Sequence, residues 1–208
     1  MNIQDAAGVV LNAAKSKYLS NFDKDIIKKM VNEGVLDFED RPVNSYRLTK
    51  VVHFLYRIDE NEAFNRMEIA KIFLAESEKV LDKDNKTSQI DLIKAVYTEE
   101  YLGDAEWGDR LISEMLADCG TDSSHLLDLM AMFINEGESD KGLEVARSIV
   151  GKAPNMYMAV TAANEVVDWL DDEQLAVSIV QKALDDKVES DGDDLDELYE
   201  EVKAKLKE

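Results

Sequence analysis

The sequence predicts an all-α fold: a stack of antiparallel helix pairs with a helical extension at the N-terminus and a capping helix at the C-terminus. Three observations predict it. Apolar residues recur at helical spacing along almost the whole chain. Only two Pro and nine Gly occur in 208 residues, too few for a turn-rich β protein. Three segments also align at a spacing of 34 residues: GDAEWGDRLISEML from Gly103, GESDKGLEVARSIV from Gly137 and DDEQLAVSIVQKAL from Asp171. Each opens a turn and runs into a helix. A small residue recurs at Gly108, Gly142 and Ala176, then an apolar one at Ile112, Ala146 and Val180, then another at Met115, Ile149 and Ala183. A fixed period of this kind implies one packing contact repeated along the chain.

The elements follow in order. Val9, Val10, Ala13 and Ala14 predict a first helix. Ile26, Ile27, Met30 and Val31 predict a second, ending near Gly34. LDFEDRPVNS (36–45) reads as a loop, with Pro42 and Asn44 as breakers. These segments form an N-terminal extension over 1–43. A helical-repeat domain over 44–208 follows. It holds hairpins near 44–81, 89–118, 123–152 and 156–186, with DKDNKTS (82–88) as a polar connector. In the last element, 193–207, Leu195, Leu198, Tyr199, Val202 and Leu206 form an apolar stripe. Acids crowd its start and Lys203, Lys205 and Lys207 its end, as the helix dipole favours.

Residues 89–188 resemble the tetratricopeptide repeat family, whose unit is a 34-residue helix–turn–helix. In the middle repeat Leu126, Leu129 and Phe133 match the first helix, Gly142 and Ile149 the second, and Pro154 the closing proline. Val160, Ala163, Val167, Ala176 and Ala183 match in the third repeat, where Val188 replaces the proline. Leu92, Ala95, Gly108 and Met115 match in the first, where Glu99 stands in place of an aromatic. The Trp, Gly and Tyr usual in the family's first helix are absent. The resemblance implies a right-handed solenoid whose first helices line a concave binding groove. The groove positions it implies are Ile93, Tyr97, Glu100 and Tyr101; Leu127, Ala131, Ile134 and Asn135; and Thr161, Glu165, Asp168 and Trp169. Acids and aromatics are present there, and the cations that family members use on a peptide's terminal carboxylate are not.

Charge narrows the function. There are 24 basic and 45 acidic residues, net -21. Residues 1–50 are nearly neutral and include Lys24, Lys28 and Lys29; the excess of acid lies downstream. Such a field steers toward a basic protein or peptide and opposes direct nucleic-acid binding, which needs cations on phosphates. The leading expectation is a non-enzymatic, adaptor- or chaperone-like binding module; the alternative is an acidic mimic of nucleic acid that occupies a DNA- or RNA-binding protein. A cytoplasmic monomer or simple dimer that does not polymerise is expected. The first residues lack a basic signal-peptide start, and no apolar run is long enough to span a membrane.

Catalytic, cofactor and metal sites are not expected. The acidic stretch DDKVESDGDDLDELYEE (185–201) is not a calcium loop. With Gly192 as the loop glycine, Lys187 and Leu198 occupy ligand positions. DKDNKTSQID fails likewise, at Thr87 and Ile93. A lone Cys119 among acids is a poor nucleophile. His53, within VVHFLY, reads as a satisfied core or groove residue, and His125 as exposed.

Overall fold

The computed structural model describes residues 1–13, 20–33, 43–57, 65–118, 124–186, 188 and 204. Among them are ten α-helices and no strand. The expected capping helix over 193–207, the loop around Pro42 and Cys119 lie outside the described residues, apart from an isolated helical Ala204. The chain divides into two compact units, Met1–Ile112 and Ser113–Glu208.

The first unit contains α1 (Ile3–Ala13), α2 (Asn21–Glu33), α3 (Ser45–Leu55), α4 (Arg66–Lys79) and α5 (Lys86–Tyr97), with the start of α6 (Ala105–Asp118). Polar side chains set where these helices begin. Asn2, Ser20, Asn44, Asn65, Asn85 and Asp104 each accept a hydrogen bond from a backbone N–H three residues on. An N-cap of this kind contributes about 1 kcal/mol. Asn44, expected as a breaker, therefore starts α3. Asn85 moves the start of α5 back to Lys86, inside the expected connector, and Ser88 and Gln89 are buried.

Helix α1 packs on α2 and on α4, and α3 packs on α4 and α5. Ile27, Leu48, Leu55, Ile69, Phe73 and Leu74 are fully buried among these contacts. Between α3 and α4 the core is polar instead. The hydroxyls of Ser45 and Ser77 lie 2.6 Å apart, and Thr49 and Ser77 both donate to the Ser45 carbonyl at 3.0 Å. All three side chains are buried. Their small volume lets the helices approach, and their mutual bonds remove the cost of burying hydroxyls. Across α4 and α6, Glu78 accepts from the Trp107 indole N–H at 2.7 Å and pairs with Arg110 at 2.7 Å.

The second unit contains the end of α6, α7 (Ser124–Asn135), α8 (Ser139–Arg147), α9 (Met156–Leu170) and α10 (Glu173–Asp185). Helix α9 touches α7, α8 and α10. Its Ala159, Ala162 and Ala163 are fully buried, and such small side chains permit that many neighbours. Asn155 caps α9 and Asp172 caps α10. Lys152 donates to the Leu116 carbonyl at 2.7 Å, at the C-terminal end of α6 where the dipole favours a cation.

The 34-residue period appears in the backbone. Gly103, Gly137 and Asp171, 34 apart, all take positive φ, at 65°, 82° and 53°. Helices α6, α8 and α10 each start two residues later. Gly108, Gly142 and Ala176 are buried, as are Leu111, Val145 and Ile179; Ile112, Ala146 and Val180; and Met115, Ile149 and Ala183. The left-handed turn is cheap for the two glycines and costs about 1 kcal/mol for an L-residue such as Asp171.

Candidate functional site

The candidate site builds on α7 and α9 of the second unit. Along α9, spacings of 3 and 4 place Tyr157, Thr161, Glu165 and Asp168 on one side, with Trp169 beside them. Tyr157 is 55% exposed and Trp169 45%. Along α7, Asp128, Ala131 and Asn135 share a side by the same spacing. Asp128 and Asn135 are exposed, and Ala131 is partly so.

Two facts join these stripes. Helices α7 and α9 are in contact. The Glu165 carboxyl is also pushed above its usual range, first by burial and then by the like charge of Asp128. Neither acid has a Lys or Arg partner among the described residues. Asp128 has only the His125 imidazole, 3.8 Å away. The described lysines of the second unit are engaged elsewhere: Lys141 with Glu144, Lys152 with the Leu116 carbonyl and Lys182 with Asp186. The result is a carboxylate pair without a cation, flanked by an exposed indole.

The expected positions in the second unit thus fall on two neighbouring helices. One acid was missed. Leu127, taken for the groove, is buried, and the next residue, Asp128, is the one that acts on Glu165. Spacing alone does not separate the two, since 127, 131 and 134 keep helical spacing as well as 128, 131 and 135 do. His125, expected to be exposed, is half-buried, and its Nδ1 is buried without a hydrogen bond.

In the first unit the expected positions divide. Ile93 is 1% exposed and belongs to the core. Tyr97 packs on Gly108, where a Cβ would lie 2.7 Å from the ring. Glu100 and Tyr101 are not on a helix. Helix α5 ends at Tyr97 because Thr98 turns extended and its carbonyl accepts from the N–H groups of Tyr101 and Gly103. Glu100 is exposed. Tyr101 turns back onto α3, stacked on His53 at 4.7 Å and edge-on to Tyr56 at 5.6 Å.

His53 was expected to be satisfied. Its Nε2 is instead buried with no partner. Its pKa falls to about 4, first through burial, then through Lys50, Lys94 and Arg57. The folded value lies below the ordinary 6.5, so the unfolded chain takes up the extra proton between these limits. The stability that His53 contributes is complete above 6.5 and is lost as the pH falls through about 4. His53→Phe keeps the stacking on Tyr101 and removes the titration. In urea denaturation from about pH 7 down to pH 4.5, the wild type is expected to lose about 1 kcal/mol more than this variant, allowing for solvent screening of a half-buried ring. Parallel pH profiles for the two proteins would refute it.

Among the described residues no group of three His, Cys, Asp or Glu side chains is placed to hold a metal, and no helix is long and apolar enough to cross a membrane. Comparison of the chain with protein-family models, with curated proteins and with solved structures finds no match to any of the three.

Proposed function

We propose that the protein is a non-enzymatic binding module, a tetratricopeptide-like array of helical hairpins that docks a basic peptide or protein segment on the α7–α9 face. The observation that carries this reading is the Asp128–Glu165 pair, which has no Lys or Arg partner among the described residues. A Lys or Arg from a partner would supply one and favour the charged form of Glu165. Trp169 and Tyr157 offer exposed aromatic surface beside it, and aromatic and cationic groups recur as anchors at interfaces. The acidic field of the chain adds speed of encounter more than affinity.

The test is titration of the full chain with a Lys/Arg-rich peptide, read from the change in tryptophan emission, to which Trp107 adds a background. Affinity is expected to fall as salt rises, and by roughly tenfold in the variant Asp128→Asn/Glu165→Gln, as for loss of a partly exposed charge pair. Binding that ignores both salt and the double substitution would overturn the proposal. If the segment comes from a DNA-binding protein and DNA competes with it, the mimic reading takes precedence.

A further inference from the structure

A second site, opposite in sign, lies in the first unit. A cleft of about 350 Å³ opens beside α3. Tyr46, Arg47, Lys50, His53 and Phe54 reach it from α3 at spacings of 1, 3, 3 and 1, with Arg57 just past the helix end. These spacings keep them on one side of the helix. Ser20 and Asp23, at the start of α2, form the opposite wall.

The charges in this wall do not balance. Asp23 is its one acid, and both oxygens are used: Oδ1 takes Arg47 at 2.9 Å and Oδ2 takes the Ser20 hydroxyl. Asp23 therefore cancels Arg47 and nothing more. Lys50 rests over the Tyr46 ring, 4.9 Å from its centroid, and makes no ion pair among the described residues. Arg57 is exposed and likewise makes none. Two cations with no ion pair among the described residues converge on one cleft in a chain with 45 acids, where surface cations have many carboxylates to choose from. Their field is felt at His53, whose pKa is lowered by burial and then by Lys50, Lys94 and Arg57.

The geometry points to an oxyanion site: the cleft between α2 and α3 binds a phosphate monoester, held by Lys50 and Arg57. A phosphate monoester carries close to two negative charges at neutral pH, which matches the two cations left over. Arginine suits it because its planar fork offers paired donors to tetrahedral oxyanions. Tyr46 adds a hydroxyl at the rim, whereas the Ser20 hydroxyl proton is already given to Asp23. Tyr46 is 40% exposed and can cover the apolar part of whatever carries the phosphate. Two sources share this chemistry, a small phosphorylated molecule and a phosphorylated side chain of a protein.

The experiment is calorimetric titration of the full chain at constant ionic strength with phenyl phosphate and with a phosphoserine peptide, each beside its unphosphorylated counterpart and a charge-matched dicarboxylate. The phosphorylated probes are expected to bind roughly tenfold or more tightly than either control, as two charge-assisted contacts would give. Lys50→Gln/Arg57→Gln is expected to lose that difference while its circular dichroism stays native; each single substitution loses part of it. Glu165→Gln, in the other unit, leaves phosphate binding unchanged and so separates this site from the α7–α9 face. Equal affinity for the two phosphorylated probes identifies the small molecule as sufficient, and a much tighter phosphopeptide identifies a protein source. Absence of phosphate binding, a dicarboxylate bound as tightly, or a double variant that binds as the wild type does would overturn the assignment.

Discussion

Phe133→Ala is expected to cost the second unit about 3–5 kcal/mol. Phe133 is fully buried on α7, in line with Leu126, Leu129 and Met130. Helix α7 packs on both α8 and α9, so this face has no solvent side to which a truncated residue could give way. The cost combines the lost transfer of a phenyl ring from water and the cavity left behind. A domain has only about 5–15 kcal/mol to lose, so the change removes a large share of it. Urea denaturation followed by circular dichroism measures this directly. Phe133→Leu should cost much less, because it keeps most of the volume. A loss under about 1 kcal/mol for the alanine variant would mean that the site collapses freely, contrary to close packing around α7.

Gly142→Val is expected to cost about 1–3 kcal/mol, by overpacking. Gly142 lies inside α8 at an ordinary φ, so no backbone strain is involved. A Cβ there would lie 2.9 Å from Cγ1 of Ile134, an inner atom of a branched side chain that cannot swing far. Ile134→Ala in the same chain should recover part of the loss, which a double-mutant cycle isolates as a coupling term. Gly8 is the control. It lies in α1 with nothing within 4 Å of its would-be Cβ, so Gly8→Ala should gain up to about 1 kcal/mol from helix propensity alone. If Gly142→Val is as stable as the wild type, or Ile134→Ala gives no relief, the close approach of α7 and α8 is not a constraint.

Much of the fold was legible because its signals are local. Helix α9 occupies the expected 156–170 span, since Asn155 and Asp171 mark its two ends chemically. The small residue at Gly142 was legible as a packing contact because it recurs at a fixed period. What local signals miss are consequences of three-dimensional neighbours. Residues 86–88 look like a connector in sequence, yet a cap at Asn85 and burial of Ser88 make them helix. Glu100 and Tyr101 continue the helical register past α5, but the Thr98 carbonyl ends the helix first. The charge site was hidden for a different reason. Counting residues 1–50 as nearly neutral averages Arg47 and Lys50 with acids elsewhere in that stretch. Only α3's own face separates Lys50 and Arg57 from them. Asp128 escaped because the family-like register favoured its apolar neighbour.

The pairing of helices with their neighbours in sequence has a kinetic consequence. Helix α1 meets α2, α3 meets α4, α7 meets α8 and α9 meets α10. Each pair needs only a short loop to close, so little chain entropy is lost before contacts form. Folds rich in such local contacts assemble in microseconds to milliseconds. On a ribosome, each pair in the second unit can close soon after its second helix emerges. In the first unit α3 also reaches past its neighbour to α5, and α1 reaches furthest: it packs on α4, which begins 63 residues after α1 does. Its Ala6, Ala7 and Val10 are fully buried in the finished protein. Until α4 has been synthesised, the part of that apolar face destined for α4 stays open. During translation that open face is a point of exposure to aggregation.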